Sequence, residues 1–118
     1  MMPPLLLVDP DRNFRQALAI ALRLDGYTVE TASTVDEALG IVARAPVRGC
    51  AADCQLPDVD RLFAQLETSA VPAVAVSNHP EFLNEVTKRH PFLSTLEKPF
   101  HPGELTARLS SQGGRVSP

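Results

Sequence analysis

Five short apolar runs, each followed by a stretch with helical periodicity, constrain this chain more than any other feature. The runs are Leu5–Val8, Tyr27–Thr31, Val47–Ala52, Val71–Val76 and Phe92–Leu96. Runs this short make strands and not helices. Leu5–Val8 is continuously apolar, as a strand covered on both faces must be. Tyr27–Thr31 alternates and is rich in β-formers, which fits a half-exposed edge strand. Val47–Ala52 has little bulk because of Gly49 and its alanines. Pro72 is tolerated in the fourth run because it falls at its start.

The intervening stretches read as helices. Phe14, Ala17, Leu18, Ala21 and Leu22 share one face, with Arg12, Arg15 and Arg23 off it, and Asp25-Gly26 is a stop signal. Thr34 and Glu37 have capping-box spacing ahead of Ala38, Leu39, Ile41 and Val42. Leu62, Phe63 and Leu66 predict a short third helix. Pro80 suits the first turn of a fourth, with Phe82, Leu83 and Val86 inward. Pro102 to Leu109 forms the last, with Leu105 and Leu109 on its inner side. The order βαβαβαβαβα predicts an α/β fold, a doubly wound parallel sheet with helices on both faces. Right-handed crossovers then place a working site outside the carboxyl ends of the strands.

Composition narrows the function. A chain of 118 residues with 21% charged residues suits one globular domain. A net charge of −3 argues against direct nucleic-acid binding or attraction to an anionic membrane. The apolar runs are too short to span a bilayer, and the first residues lack the basic start of a signal peptide. Cys50 and Cys54 match no zinc spacing and read as reduced residues, which points to the cytoplasm. Ser110 to Pro118 holds two glycines and little hydrophobicity, so residues 111–118 are expected to be a flexible tail or the start of a linker after a domain at 1–110.

Four polar residues fall at strand exits: Asp9, Asp53, Ser77 and Lys98. Each has an ordinary use, as a turn residue, a helix cap or an exposed Lys-Pro corner. Their conjunction at one sheet edge points to a phosphate or metal site. Paired carboxylates suit a hard cation such as Mg2+, which takes oxygen ligands and keeps several waters. Lysine is a compact positive charge for a phosphoryl oxygen, and serine can donate to another. Asp53 could then be a nucleophile that forms an acyl phosphate.

On these residues the chain resembles the receiver domain of a two-component response regulator. The resemblance rests on Leu6-Leu7-Val8-Asp9, Asp25-Gly26-Tyr27-Thr28-Val29, Asp36-Glu37-Ala38-Leu39, Asp53 with Leu56-Pro57, Pro72 to Ser77, and Lys98-Pro99-Phe100. It implies a flavodoxin-like (βα)5 fold with strand order 2-1-3-4-5. It also implies that Asp53 accepts a phosphoryl group from a sensor histidine kinase or phosphotransfer protein. Asp9, Asp53 and the Gln55 backbone would hold Mg2+, Ser77 would be the switch hydroxyl and Lys98 the phosphate-binding lysine. Gln55 and His79 occupy positions that tune hydrolysis of the acyl phosphate. The fourth and fifth helices form the face through which such domains dimerise. A domain of this kind signals and is not itself an enzyme.

The chain departs from the family pattern at several positions. Pro10 stands where a second acid is usual, so Mg2+ binding is expected to be weak; Asp11 is a possible substitute ligand whose plain role is a helix N-cap. Thr95 replaces the aromatic switch residue, Asn78 follows the switch serine where a very small residue is usual, and Arg61 replaces a turn glycine. These changes keep open an alternative, a pseudo-receiver that binds protein partners without phosphate chemistry. A nucleotide- or flavin-binding flavodoxin-like protein is disfavoured, because no glycine-rich loop follows the first strand.

Overall fold

Every apolar run becomes a strand, and every amphipathic stretch a helix packed on one face of a single sheet. A computed structural model describes residues 2–114. The elements are β1 (Leu5–Val8), α1 (Arg12–Leu24), β2 (Val29–Ala32), α2 (Val35–Arg44), β3 (Gly49–Asp53), α3 (Val59–Thr68), β4 (Ala73–Ser77), α4 (Pro80–Arg89), β5 (Ser94–Glu97) and α5 (Pro102–Gly114). The strands lie in the order β2-β1-β3-β4-β5, all parallel, with β2 and β5 at the edges.

Side-chain alternation along the strands divides the core in two. Leu6 and Val8 of β1 join Ala38, Ile41, Leu62, Phe63, Leu66 and Val86 beneath α2, α3 and α4. Leu5 and Leu7 join Leu18, Leu22, Val74, Val76, Leu105 and Leu109 beneath α1 and α5. The small residues of β3 have a use here. A Cβ on Gly49 would lie 3.0 Å from Leu109 Cδ2, a tight contact, so the bare position gives the Leu109 side chain of α5 its room against the strand.

Helix starts follow their sequence signals. The Thr34 hydroxyl accepts from Glu37 N–H at 3.1 Å, and the Glu37 carboxylate returns to Ser33 N–H at 3.0 Å. Asp11 accepts from Phe14 N–H at 3.2 Å at the start of α1.

Boundaries differ from the sequence expectations in three places. Strands β2 to β5 begin two residues later than their apolar runs, because ladder pairing begins with Leu5 opposite Val29 and Gly49, Cys50 opposite Ala73, and Val74 opposite Ser94. The left-handed turn before α3 falls at Asp58 (φ 64°), and Arg61 is helical. Helix α5 continues through Gly114, so 111–114 are helix where a tail was expected; 115–118 lie outside the described residues. Gln112 explains the extension: its Oε1 accepts from Ala73 N–H at 2.9 Å, and its Nε2 donates to Ala73 O at 2.9 Å and Ser94 Oγ at 2.7 Å. Among the described residues, no helix is long and apolar enough to cross a membrane.

Candidate functional site

Parallel register brings the strand exits together. Val8 pairs with Ala52, and Asp53 with Val76, so Asp9 and Asp53 emerge from adjacent strands. Ser77 closes β4, and Lys98 follows β5, its N–H donating to Ser77 O at 2.8 Å. The lysine then folds back across the sheet edge. Its Nζ lies 2.8 Å from Asp9 Oδ2 and 2.9 Å from Asp53 Oδ2.

The two carboxylates are held alike. Asp9 Oδ1 accepts from Asp11 N–H at 2.9 Å, and Asp53 Oδ1 accepts from Gln55 N–H at 2.7 Å. Each acid thus turns one oxygen to the backbone two residues on, a common Asx arrangement, and the other to Lys98. Both are deeply buried, Asp9 3% and Asp53 5% exposed. Burial pushes the Asp9 carboxyl above its usual range, and the hydrogen bonds from Lys98 and Asp11 N–H only partly offset it. Burial pulls Lys98 downward, yet the hydrogen bonds to Asp9 and Asp53 outweigh it and leave the ammonium above its ordinary 10.5. One ammonium is shared between two carboxylates, which leaves that trio with one negative charge in excess. A further cation or hydrogen-bond donor is therefore favoured there.

The remaining residues surround this centre. Ser77 is fully buried and accepts from His79 N–H at 3.0 Å. His79 is the N-cap before α4 and turns its ring to Phe82, centroids 5.4 Å apart, with Nδ1 3.5 Å from Glu81. Gln55 contributes its backbone N–H, while its side chain is exposed. Thr95 sits within β5, where its carbonyl accepts from Arg108 Nε at 2.8 Å. Asp11 serves as the cap, its Oδ1 accepting from Phe14 N–H, while the Asp9 and Asp53 carboxylates meet at Lys98. Among the described residues, no three His, Cys, Asp or Glu side chains converge as a metal group. Cys50 is buried and its thiol is pushed up to about 12, which removes it from any thiolate chemistry.

Two neighbours were not anticipated. Arg15 Nη1 donates to Asp9 O at 2.6 Å, and the Phe14 ring lies under the lysine with Nζ 4.1 Å from its centroid. In the sequence both count only as parts of a helix pattern. Their signal was position, since the first turn of a helix after β1 must overhang the carboxyl edge.

A doubly wound sheet with a carboxylate pair, a lysine and a buried hydroxyl at its carboxyl edge defines an α/β domain with its chemistry at the strand ends. The family model for the response regulator receiver domain matches residues 5–110, and the chain belongs to that family. It is 32% identical over 111 residues to the probable transcriptional regulator ycf27 of Cyanidium caldarium, covering 91% of this chain and 45% of that protein. It is 32% identical over 123 residues to response regulator MprA of Mycobacterium leprae, covering 97% and 52%. The chain thus spans about half the length of these curated relatives. Among solved structures it is similar to the Vibrio cholerae chemotaxis protein CheY4, with TM-score 0.78, 27% identity and 94% and 98% of the two chains covered. A two-component response regulator from Clostridium difficile shares the fold, with TM-score 0.84, 19% identity and 99% and 100% covered.

Proposed function

We propose that Asp53 is the phosphoacceptor of this receiver domain. The observation that carries the proposal is Lys98 Nζ within hydrogen-bond distance of both Asp53 and Asp9. Asp53 attacks the phosphorus of a phosphohistidine on a sensor kinase or phosphotransfer protein. A P–O bond forms to the carboxylate, the P–N bond breaks, and the imidazole leaves with the electron pair. Before attack, Lys98 and Gln55 N–H hold the carboxylate in place. Afterwards the Lys98 ammonium can follow the new charge to a phosphoryl oxygen, and the Ser77 hydroxyl can donate to another.

The donor set fits Mg2+. Asp9, Asp53 and the Gln55 carbonyl offer hard oxygens, and Mg2+ keeps waters in its remaining positions. Bound there, the ion would neutralise charge between acceptor and phosphoryl group. With Pro10 in place of an acid, one attraction on the order of 4 kcal/mol is lost, taking unit charges ~4 Å apart at an effective dielectric of ~20. Weak Mg2+ binding follows.

The phosphoryl group comes from the partner, so the domain acts as a cytoplasmic signalling element and not as an enzyme. Its readout face is formed by α4 and α5, where a partner or second copy would dock. The test is incubation with acetyl phosphate and Mg2+, followed by mass spectrometry. The expected product is one added phosphoryl group, stable in acid and labile in base, and lost in Asp53→Asn. No adduct at any Mg2+ concentration would overturn the proposal.

A further inference from the structure

We infer that Phe14 is a positioning residue for Lys98, holding the ammonium over the carboxylate pair through the face of its ring. The inference rests on Asp53 being the acceptor, but its geometry stands separately. Lysine carries its charge on a flexible four-carbon stem, so two carboxylate contacts alone leave the head free to swing when one of them changes. Lys98 has a third contact. Its Nζ is 4.1 Å from the Phe14 centroid, well inside the range where a ring's negative face attracts a cation.

Phe14 is itself fixed from two sides. Its backbone N–H is capped by Asp11 at 3.2 Å, which sets the first turn of α1. Its ring meets that of Phe100 edge-on, with centroids 5.8 Å apart and planes at 73°. Phe100 lies two residues after Lys98 on the same loop. The loop that carries the lysine therefore grips Phe14 twice, by ammonium on the face and by a second ring at the edge.

This contact gains importance when Asp53 is phosphorylated. The carboxylate then gives up part of its charge, and its hold on Lys98 weakens. Phe14 is unaltered by the chemistry and keeps the ammonium at the strand ends, ready for the phosphoryl oxygens. Because Pro10 leaves the acidic side one charge short, a fixed ammonium has a larger share of the electrostatic work here.

Shape and charge are separated by replacing Phe14 with pentafluorophenylalanine, which keeps a similar ring and removes its negative face. Phosphorylation of Asp53 by acetyl phosphate is expected to slow by roughly threefold to thirtyfold, the range that a cation–π contact supports. Phe14→Leu should slow it at least as much. Thermal melts on both variants establish that they fold. In carbon-13 NMR spectra, the Lys98 ε-methylene signals should lie upfield in the wild type and move downfield in Phe14→Leu as the ring current is lost. An unchanged rate in the fluorinated protein, or unmoved Lys98 signals in Phe14→Leu, would overturn the inference. If the wild type takes no phosphoryl group, the proposed function fails, and the Lys98 signals alone then decide whether Phe14 holds the lysine.

Discussion

At the carboxyl end of the sheet, Lys98 joins the exits of β1 and β3 by ionic hydrogen bonds to Asp9 and Asp53. At the amino end, Gln112 joins the first residues of β4 and β5 through a neutral amide that pairs with Ala73 as another peptide would. The two crosslinks are similar in length and opposite in physics. The neutral one satisfies buried peptide groups and has no state to change. The charged one costs desolvation that is recovered only while all three partners are present. A reaction at one partner therefore redistributes the others. A crosslink for holding the fold and one for responding to chemistry are built from different groups.

The largest test of that contrast is Lys98→Met. It strands two buried carboxylates and should lower unfolding free energy by about 3 kcal/mol in urea titrations. Adding Asp53→Asn should restore a good part of the loss, because one uncompensated charge disappears. If the double variant is simply the sum of its parts, the two residues are not coupled as the geometry requires. Gln112→Ala should cost about 2 kcal/mol, since the N–H and C=O of fully buried Ala73 lose their partner. Faster hydrogen exchange at the Ala73 amide would locate the effect.

Pro10→Asp sharpens the charged side alone. It restores an acid beside Asp9 and should tighten Mg2+ binding by roughly tenfold or more in calorimetric titration, the full Coulomb gain being reduced by desolvation. Equal affinity in both proteins would mean that the lysine, and not the missing acid, sets the site's demand for cations. The finest distinction is in pH. The folded-state pKa of Lys98 is raised above 10.5, so its stabilisation is complete below that value and is lost as pH rises through the folded pKa. The stability gap between wild type and Lys98→Met should therefore narrow above pH 10.5, while the gap to Gln112→Ala should not follow Lys98.

The strands, helices and four strand-end residues were legible in the sequence because each carries a local signal. Continuous apolar runs, capping spacing and a polar residue at the exit do not depend on distant partners. Three things were out of reach for a shared reason. Asp11 could be cap or ligand from the sequence, and the structure adds its cap contact with Phe14 N–H. Phe14 reads as one more apolar position on α1 until the loop after β5 lays Lys98 over it, 84 residues later by the numbering. Gln112 sits among serines and glycines that suggest a tail, and its partners are 39 and 18 residues back. Strand starts were misplaced by two residues because a neighbour's register, and not the run's own hydrophobicity, decides where a ladder begins.

The closeness of Gly49 to Leu109 sets limits on how this sequence can drift. The strand that ends in Asp53 is Gly49, Cys50, Ala51 and Ala52, all buried and all small, with a helix resting directly on its first residue. A methyl group added at Gly49 would press on the end of the Leu109 side chain, on the helix that Gln112 and Arg108 fasten to β4 and β5. Random change is thus filtered by size along β3 before it is filtered by chemistry. Variation in this core has to be absorbed by the helices, whose larger side chains can exchange volume with one another while Asp53 stays where it is.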